Sequence, residues 1–298
     1  MLAIDRSHTQ FHAMTRTLLT LGHGYCAQAL AHRLMPLGWT VMGTTRSAEK
    51  AEEIAETGVR PVMWEEITLR AALAEATHVL VSASPRDGED PSIAVLGDAL
   101  RERAPALDWV GYLSTTGVYG DHDGGWVDES TPLEPSTERG QLRVMAEREW
   151  QSIPGLPLHI FRIAGIYGPG RGPFAKVRRG TARRLIKPGQ VFSRIHVEDI
   201  AQVLHASIEH PNPGAAYNVC DDDPAPPQDV IALAADLLGV ERPPEVPLEE
   251  ADMSPMARSF YAENKRVSNA RIKDELGVGL KYPDYRVGLR ALLEAEGD

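Results

Sequence analysis

Cysteine is scarce in this sequence, and long hydrophobic runs are absent. Cys26 and Cys220 are the only thiols in 298 residues, which excludes a disulfide framework and fits a reducing compartment. No apolar run approaches the roughly 18 residues that a membrane helix needs. The first 21 residues have no basic segment followed by an apolar one, so no export signal is visible. We therefore expect a cytoplasmic protein without a membrane partner, with a disordered N-terminal leader and Met14 as an alternative start.

Positive charge is also in short supply. The sequence has 31 lysines and arginines against 42 aspartates and glutamates, a formal net charge of −11 at pH 7. This balance opposes non-specific attraction to nucleic acid, so we expect a small-molecule substrate as the partner. Basic residues nevertheless cluster in 171–184 (RGPFAKVRRGTARR), which indicates either a surface facing an anionic ligand or a solvated helix face. Histidine, cysteine and acidic residues show no metal-ligand spacing, so we predict no metal site.

Short apolar runs alternate with helical patterns along the chain. The runs that predict strands are 16–22, 39–45, 60–64, 78–84, 107–115, 158–168 and 215–220. Helical spacing is clearest at 27–37, 47–56, 92–104 and 139–153. Such alternation implies parallel strands joined by right-handed crossovers, so we predict an α/β fold with a doubly wound parallel sheet.

A glycine loop lies between the first strand and the first helix. Residues 22–27 have the form G-x-G-x-x-A, in which Gly22 permits a tight exit from the strand and Gly24 lets a diphosphate approach the backbone. The helix N-terminus then offers unpaired N–H groups to that diphosphate. The loop predicts a dinucleotide site that includes Gly22, His23, Gly24, Tyr25 and Cys26, although a merely structural turn is the alternative.

The second strand ends in Thr44-Thr45-Arg46-Ser47 and carries no carboxylate for a ribose diol. The Arg46 guanidinium can instead make a bidentate, charge-assisted contact to a 2′-phosphate, and the neighbouring Thr45 hydroxyl can add a hydrogen bond. This pattern favours NADP(H) over NAD(H). An exposed arginine on a turn is the alternative, and NAD stays open. Because ligands lie beyond the carboxyl ends of parallel strands, we also assign to the cofactor the segment that ends the fourth strand, namely Ser82, Ala83 and Ser84.

Five segments together resemble the extended short-chain dehydrogenase/reductases, the NAD(P)-dependent epimerase/dehydratase family. They are LGHGYCAQALA, YLSTTGVYGD, PLEPSTERGQLRVMAE, RIAGIYGPG and RIHVEDIA, in the family's order, and the resemblance covers roughly 16–290. It implies an NAD(P)-binding Rossmann domain over 14–168 and 194–220. A smaller substrate lobe would comprise 169–193 and 221–298. The glycine loop is one residue shorter than usual, which indicates an atypical branch.

The resemblance also implies a catalytic set that this chain carries only in part. Family members use a tyrosine, a lysine four residues later and a hydroxyl residue on the preceding strand. Thr115 matches the hydroxyl, with Thr116 beside it facing substrate, but Arg139 falls at the tyrosine position and Arg143 at the lysine position. Arg143 can hold the nicotinamide ribose, yet neither arginine can relay a proton, because the guanidinium pKa exceeds about 12.

Two explanations remain open. In the first, the chain is an oxidoreductase or epimerase in which another group supplies the proton, and Tyr119 or Tyr167 is the candidate. In the second, catalysis is lost and the chain is a binding protein that senses NADP(H). Hydride transfer needs only proximity and orientation by the cofactor, so a weak reductase without the tyrosine is also consistent.

The resemblance also indicates residues for the substrate. Relatives place an arginine near Arg194 against a nucleotide-sugar phosphate, which makes Phe192 and Arg194 candidates for contact with a small or nucleotide-linked polar substrate. Phe174 and Arg178 in the basic segment are further candidates, with a plain surface helix as the alternative. His196 we interpret as a packing residue. A homodimer through the helices beside strands four and five is a further expectation.

Overall fold

The computed structural model describes residues 16–297, so the predicted leader, Met14 and the first residues of the predicted nucleotide domain lie outside the described part. The strands are β1 (Thr17–Leu21), β2 (Thr40–Thr45), β3 (Arg60–Met63), β4 (His78–Val81), β5 (Trp109–Thr115), β6 (Trp126–Val127), β7 (Leu158–Ile163), β8 (Gly165–Tyr167), β9 (Arg184–Ile186), β10 (Arg194–His196), β11 (Ala216–Val219), β12 (Glu245–Pro247) and β13 (Arg266–Val267).

The helices are α1 (Tyr25–Leu34), α2 (Ala48–Glu56), α3 (Glu66–Glu75), α4 (Pro91–Arg103), α5 (Glu138–Gln151), α6 (Phe174–Arg178), α7 (Val197–Glu209), α8 (Pro227–Leu237), α9 (Pro255–Ser259), α10 (Ala270–Asp274) and α11 (Tyr285–Gly297). Their starts follow local chemistry. Ser47 accepts a hydrogen bond from the N–H of Lys50, and Thr137 caps α5 in the same way through the N–H of Gly140. Within 16–297, no helix combines the length and the apolar character needed to cross a bilayer.

Seven parallel strands form the central sheet in the order β11-β7-β5-β4-β1-β2-β3. The order reverses on either side of β1, which confirms the predicted doubly wound α/β fold. The loops that follow β1 and β4 diverge at this reversal. They open a crevice at the carboxyl ends of the strands, where ligands bind on such sheets.

Alternate residues of each central strand face opposite layers of helices. Leu18 packs in one cluster with α1 and α7, whereas Leu19 packs in a second cluster with α3, α4 and α5. Both faces are therefore buried, and the strands read as continuous hydrophobic runs. A third cluster, centred on Phe174 and Leu289, joins α6, α8 and α11. Ile272, from the region predicted as the second lobe, packs in the first cluster.

Two local predictions are corrected. The run 158–168 was expected to be one strand, but β7 ends at Ile163 and the following residues form β8, which pairs with β10 outside the main sheet. The helical spacing through Leu37 ends early, because Met35–Leu37 is a 3-10 turn and Leu37 is 60% exposed. Gly38 closes that turn with φ +84°, as expected of a helix-stopping glycine.

Candidate functional site

The glycine loop leaves β1 in a conformation that Gly22 makes accessible. The φ of Gly22 is +90°, a region that side-chain-bearing residues rarely adopt, and a Cβ there would lie 2.9 Å from the backbone nitrogen of Ala83. The Gly22 N–H donates to Thr44 Oγ1 at 2.7 Å, and its carbonyl accepts from Ser82 Oγ. The loop is thus fixed to the ends of β2 and β4, the two neighbours of β1.

Gly24 is the N-cap residue of α1 and is exposed. A Cβ built on Gly24 would meet no atom of the described chain within 4 Å. No side chain of the described residues caps this helix, so its first N–H groups remain for another acceptor. The helix dipole favours a negative charge at that place. The geometry therefore fits the diphosphate of a dinucleotide.

The other loop residues line the cleft with neutral side chains. Burial lowers the pKa of His23 to about 4, and its Nδ1 lies 2.9 Å from Thr20 Oγ1. Burial raises the pKa of the Cys26 thiol to about 11. The Tyr25 hydroxyl donates to the Pro169 carbonyl at 2.9 Å. At pH 7 none of the three carries a charge, so attraction to an anion comes from backbone N–H groups and from cations elsewhere.

A first cavity of about 770 Å³ extends from the glycine loop to the end of β2. Thr45, Arg46 and Lys50 line it, together with Ser82, Ala83 and Ser84. The Arg46 guanidinium is exposed and lies 5.3 Å from the centroid of the Trp64 ring. No salt bridge to Arg46 occurs within residues 16–297, so its forked N–H groups remain available.

A second cavity of about 1290 Å³ adjoins the first. Gly24, Ser82 and Ser84 line both, so the two form one cleft along the carboxyl edge of the sheet. The cleft brings together all the residues predicted for the cofactor. Many other residues that line the second cavity come from positions after 168.

Thr115 and Arg143 both line the second cavity. Thr115 ends β5, and its Oγ1 accepts a hydrogen bond from the N–H of Gly117 at 3.2 Å. Arg143 is buried on α5, where it donates to the Leu113 carbonyl and, at 2.8 Å, to Ser84 Oγ. Thr116 also lines this cavity. Arg143 is thus held in the cavity wall by contacts to β5 and to the segment after β4.

Neither predicted tyrosine presents its hydroxyl to this point. Tyr119 is fully buried and is not among the described residues that line the cavity; its hydroxyl accepts from Arg162 at 3.0 Å and donates to Asn218 at 2.7 Å. Burial raises the pKa of Tyr119 to about 12. The interpretation of Tyr119 as a proton donor is therefore corrected. The Tyr167 ring lines the cavity, but its hydroxyl lies against Gly288.

Arg139 lines the cavity at the position that the resemblance gives to the family tyrosine. Its Cζ lies 5.7 Å from the centroid of the Phe260 ring. Partial burial, together with the charges of Arg143 and Arg171, lowers the pKa of Arg139 below its ordinary value. A guanidinium at this place can stabilise negative charge, but it stays protonated near neutral pH.

The substrate predictions divide into two pairs. Phe192 and Arg194 line the second cavity, where Arg194 donates to the Phe192 carbonyl at 2.7 Å and to the Ala225 carbonyl at 3.0 Å. Phe174 and Arg178 do not line it, and that prediction is corrected. Phe174 is 2% exposed in the third hydrophobic cluster, and Arg178 forms a salt bridge with Glu296 at 2.6 Å.

Several residues that line the second cavity were not predicted from the sequence. Arg171, Tyr261 and Lys265 line the second cavity, although the last two lie 90 and 94 positions beyond Arg171. The basic composition of 171–184 was a signal for Arg171, whereas no local pattern marks the other two. His196 is buried, as expected for packing, and burial lowers its pKa to about 4. No cluster of three or more potential metal ligands occurs in the described range 16–297.

The comparisons with known proteins agree with this architecture. The sequence profile of the NAD dependent epimerase/dehydratase family matches residues 18–220. The chain therefore belongs to the NAD-dependent epimerase/dehydratase family, which confirms the resemblance.

Its relatives extend the match to nearly the whole chain. A functionally unknown conserved protein from Silicibacter pomeroyi DSS has 61% sequence identity over 94% of this chain and 99% of its own, with a TM-score of 0.91. Protein YeeZ of Escherichia coli K12 is 27% identical over 89% of this chain and 95% of its own length. The structure of dTDP-glucose 4,6-dehydratase from Bacillus anthracis, solved with NAD, shares the fold at 16% identity, with a TM-score of 0.77 over 94% of this chain and 96% of that one.

Proposed function

We propose that this protein binds NADP(H) in the cleft and acts as an oxidoreductase or epimerase on a small or nucleotide-linked polar substrate. The observation that carries the cofactor assignment is the positive charge of the first cavity, which extends to the end of β2. Among the described residues that line the first cavity, the cations Arg46, Lys50 and Arg86 outnumber the single carboxylate, Glu53. A 2′-phosphate is the group that distinguishes NADP(H) from NAD(H), and a forked guanidinium matches it.

The direction of the cleft supports the same assignment. A dinucleotide with its 2′-phosphate at Arg46 and its diphosphate at Gly24 extends toward Thr115. Once bound there, the cofactor supplies or accepts a hydride. Arg143 is positioned to hold the second ribose, because the Leu113 carbonyl and Ser84 fix its guanidinium.

Thr115 is the residue best placed to polarise a substrate oxygen. Its Oγ1 already accepts the Gly117 N–H, and no acceptor for its own proton occurs in the described part of the chain. The hydroxyl can therefore donate to a carbonyl or alkoxide oxygen in the cavity. Arg139 adds electrostatic stabilisation of negative charge on that oxygen, without transferring a proton.

One observation favours a second function. The hydroxyls of Tyr119 and Tyr167 are held by the protein and turned from Thr115, so the family's proton donor has no replacement among the tyrosines predicted from sequence. A chain that binds NADP(H) without turnover would then act as a sensor of the cofactor. Binding and turnover must be measured separately to distinguish these functions.

The test compares NADPH and NADH titrations of the wild type and Arg46→Gln. Loss of a charge-assisted contact weakens NADPH binding by about 1.5–3 kcal/mol, roughly 10- to 150-fold, and leaves NADH binding unchanged. Arg148→Gln is the control, because Arg148 is exposed on α5 and outside both cavities. Equal losses for both cofactors would contradict the assignment. NADPH oxidation with carbonyl compounds and sugar nucleotides then separates an enzyme from a sensor.

Two further proposals complete the assignment. We place the protein in the cytoplasm, in keeping with its two buried, free cysteines. We also keep the homodimer through α4 and α5 as a prediction, and note that Met145 on α5 is 54% exposed. Size-exclusion chromatography with light scattering of the wild type and Met145→Glu tests it, since a charge at a helix–helix interface would shift the dimer to monomer.

A further inference from the structure

The second cavity is cationic in a protein that is strongly acidic as a whole. Its described lining contains five cations, Arg139, Arg143, Arg171, Arg194 and Lys265, and two carboxylates, Glu138 and Glu263. The whole sequence has the opposite balance, with a formal charge of −11. A positively charged cleft attracts and concentrates anions, even in a protein whose net charge is negative.

Three of the five cations are already engaged by the protein. Arg143 and Arg194 donate to backbone carbonyls, as described above. Lys265 forms an ion pair with Glu263 at 2.7 Å and donates to the Gly120 carbonyl at 2.6 Å. Their charges hold the cavity wall together and are only partly available to a ligand.

Arg139 and Arg171 differ from these three. Each lies against an aromatic face: Arg139 is 5.7 Å from the Phe260 centroid, and Arg171 is 5.9 Å from that of Tyr25. Neither guanidinium has a salt-bridge or side-chain hydrogen-bond partner within 16–297. Stacking leaves the N–H edge of a guanidinium free, and that edge matches the two oxygens of a carboxylate or phosphate.

The two free guanidiniums line the same cavity. After burial and the charge of Arg143, the charge of Arg171 also contributes to the lowered pKa of Arg139, although Arg139 and Arg171 lie on different segments of the chain. Two like charges that line one cavity repel, and an oxyanion bound by both offsets that repulsion. The arrangement is thus more favourable with an anion bound than without one.

We infer that Arg139 and Arg171 form a subsite in the second cavity for an oxyanion of the substrate, either a phosphate or a carboxylate. The inference rests on the proposed function only in assigning the anion to a substrate. Arg139 then takes a recognition role at the place where the family carries its tyrosine. The specificity follows: substrates with a phosphate or carboxylate near the reacting oxygen bind, and neutral analogues bind more weakly.

The test uses inorganic phosphate and malonate as probes, titrated calorimetrically into the protein saturated with NADP⁺. Filling the cofactor site first removes the glycine loop and Arg46 as competing anion sites. We expect binding of at least one probe, weakened about tenfold or more in Arg139→Gln and in Arg171→Gln. Arg148→Gln is the matched control, since it removes the same charge from an exposed position of the same helix as Arg139.

Further arms keep the outcomes distinct. Arg139→Lys and Arg171→Lys keep the charge, and partial recovery of binding shows that a loss in the glutamine variants is not misfolding. If Arg171→Gln weakens NADP⁺ rather than the probe, Arg171 belongs to the cofactor diphosphate and the inference is overturned. Absence of probe binding to the loaded wild type also overturns it. If NADP⁺ itself fails to bind, the proposed function fails, and probe titrations of Arg46→Gln against Arg139→Gln still decide the subsite.

Discussion

Two glycines of one loop allow the binding geometry to be tested apart from stability. Gly24 has φ −93°, which alanine adopts readily, and an added Cβ meets no described atom within 4 Å. Alanine reduces the entropy of the unfolded chain by about 0.4–1 kcal/mol, but it is a poorer N-cap by roughly the same amount. We therefore expect Gly24→Ala to change the free energy of unfolding by less than about 1 kcal/mol.

Gly22→Ala should behave in the opposite way. An alanine at φ +90° costs about 1–3 kcal/mol in backbone strain. The contact at 2.9 Å with the backbone nitrogen of Ala83 adds to this, because backbone cannot move aside as cheaply as a flexible side chain. Urea denaturation of both variants measures the contrast. Gly279→Ala is the control, since that glycine is also open on its Cβ side within the described chain and lies outside both cavities.

Gly24→Ala should weaken cofactor binding although it barely changes stability. The methyl group of Gly24→Ala fills the space through which a diphosphate reaches the first N–H groups of α1. We expect at least a tenfold loss of NADPH affinity, about 1.4 kcal/mol, in a protein that remains folded. Wild-type affinity in Gly24→Ala would show that the diphosphate does not lie there, and the assignment of the cofactor site would fail.

Two further predictions concern catalysis and pH. Tyr119→Phe should lower the free energy of unfolding by about 1–3 kcal/mol, because the buried Arg162 loses a partner, and should leave kcat nearly unchanged. Thr115→Ala should reduce kcat about 100-fold or more if its hydroxyl polarises substrate. Steady-state kinetics of both variants test this, and a large loss of kcat in Tyr119→Phe with none in Thr115→Ala would contradict it. Burial also lowers to about 4 the pKa of four histidines, His23, His78, His159 and His196. Because these histidines are protonated near pH 6.5 in the unfolded chain, the free energy of unfolding should fall as pH drops from about 6.5 toward 4. Asp221, whose pKa burial raises to about 8, opposes this trend in part. Denaturant midpoints that stay constant over this pH range would contradict the prediction.

Local chemistry made the first half of the site predictable. A strand, a glycine loop and an amphipathic helix follow one another within twenty residues, and the order itself fixes where the loop lies on a parallel sheet. The threonines and Arg46 at the end of β2 follow from the same rule. Such inferences need only periodicity, the missing Cβ of glycine and the direction of parallel strands.

The rest of the site could not be predicted, because it depends on contacts between residues that are distant in the sequence. Tyr119 and Thr115 are four residues apart, yet the 3-10 turn that follows β5 carries one hydroxyl into the core while the other lines the cavity. Phe174 was expected beside the substrate, but α8 and α11 supply apolar partners that bury it. Likewise, β8 leaves the main sheet because it pairs with β10, a strand that is not its neighbour in the sequence.

The pairing of β6 with β13 has a consequence for biosynthesis. Arg266 donates to the carbonyl of Gly124, 142 positions earlier, and Lys265 reaches back to Gly120. A nascent chain that ends before these residues already contains every strand of the central sheet, but it lacks one wall of the second cavity. The surface around the glycine loop can thus form while translation continues, whereas the second cavity is completed only when the ribosome has nearly finished.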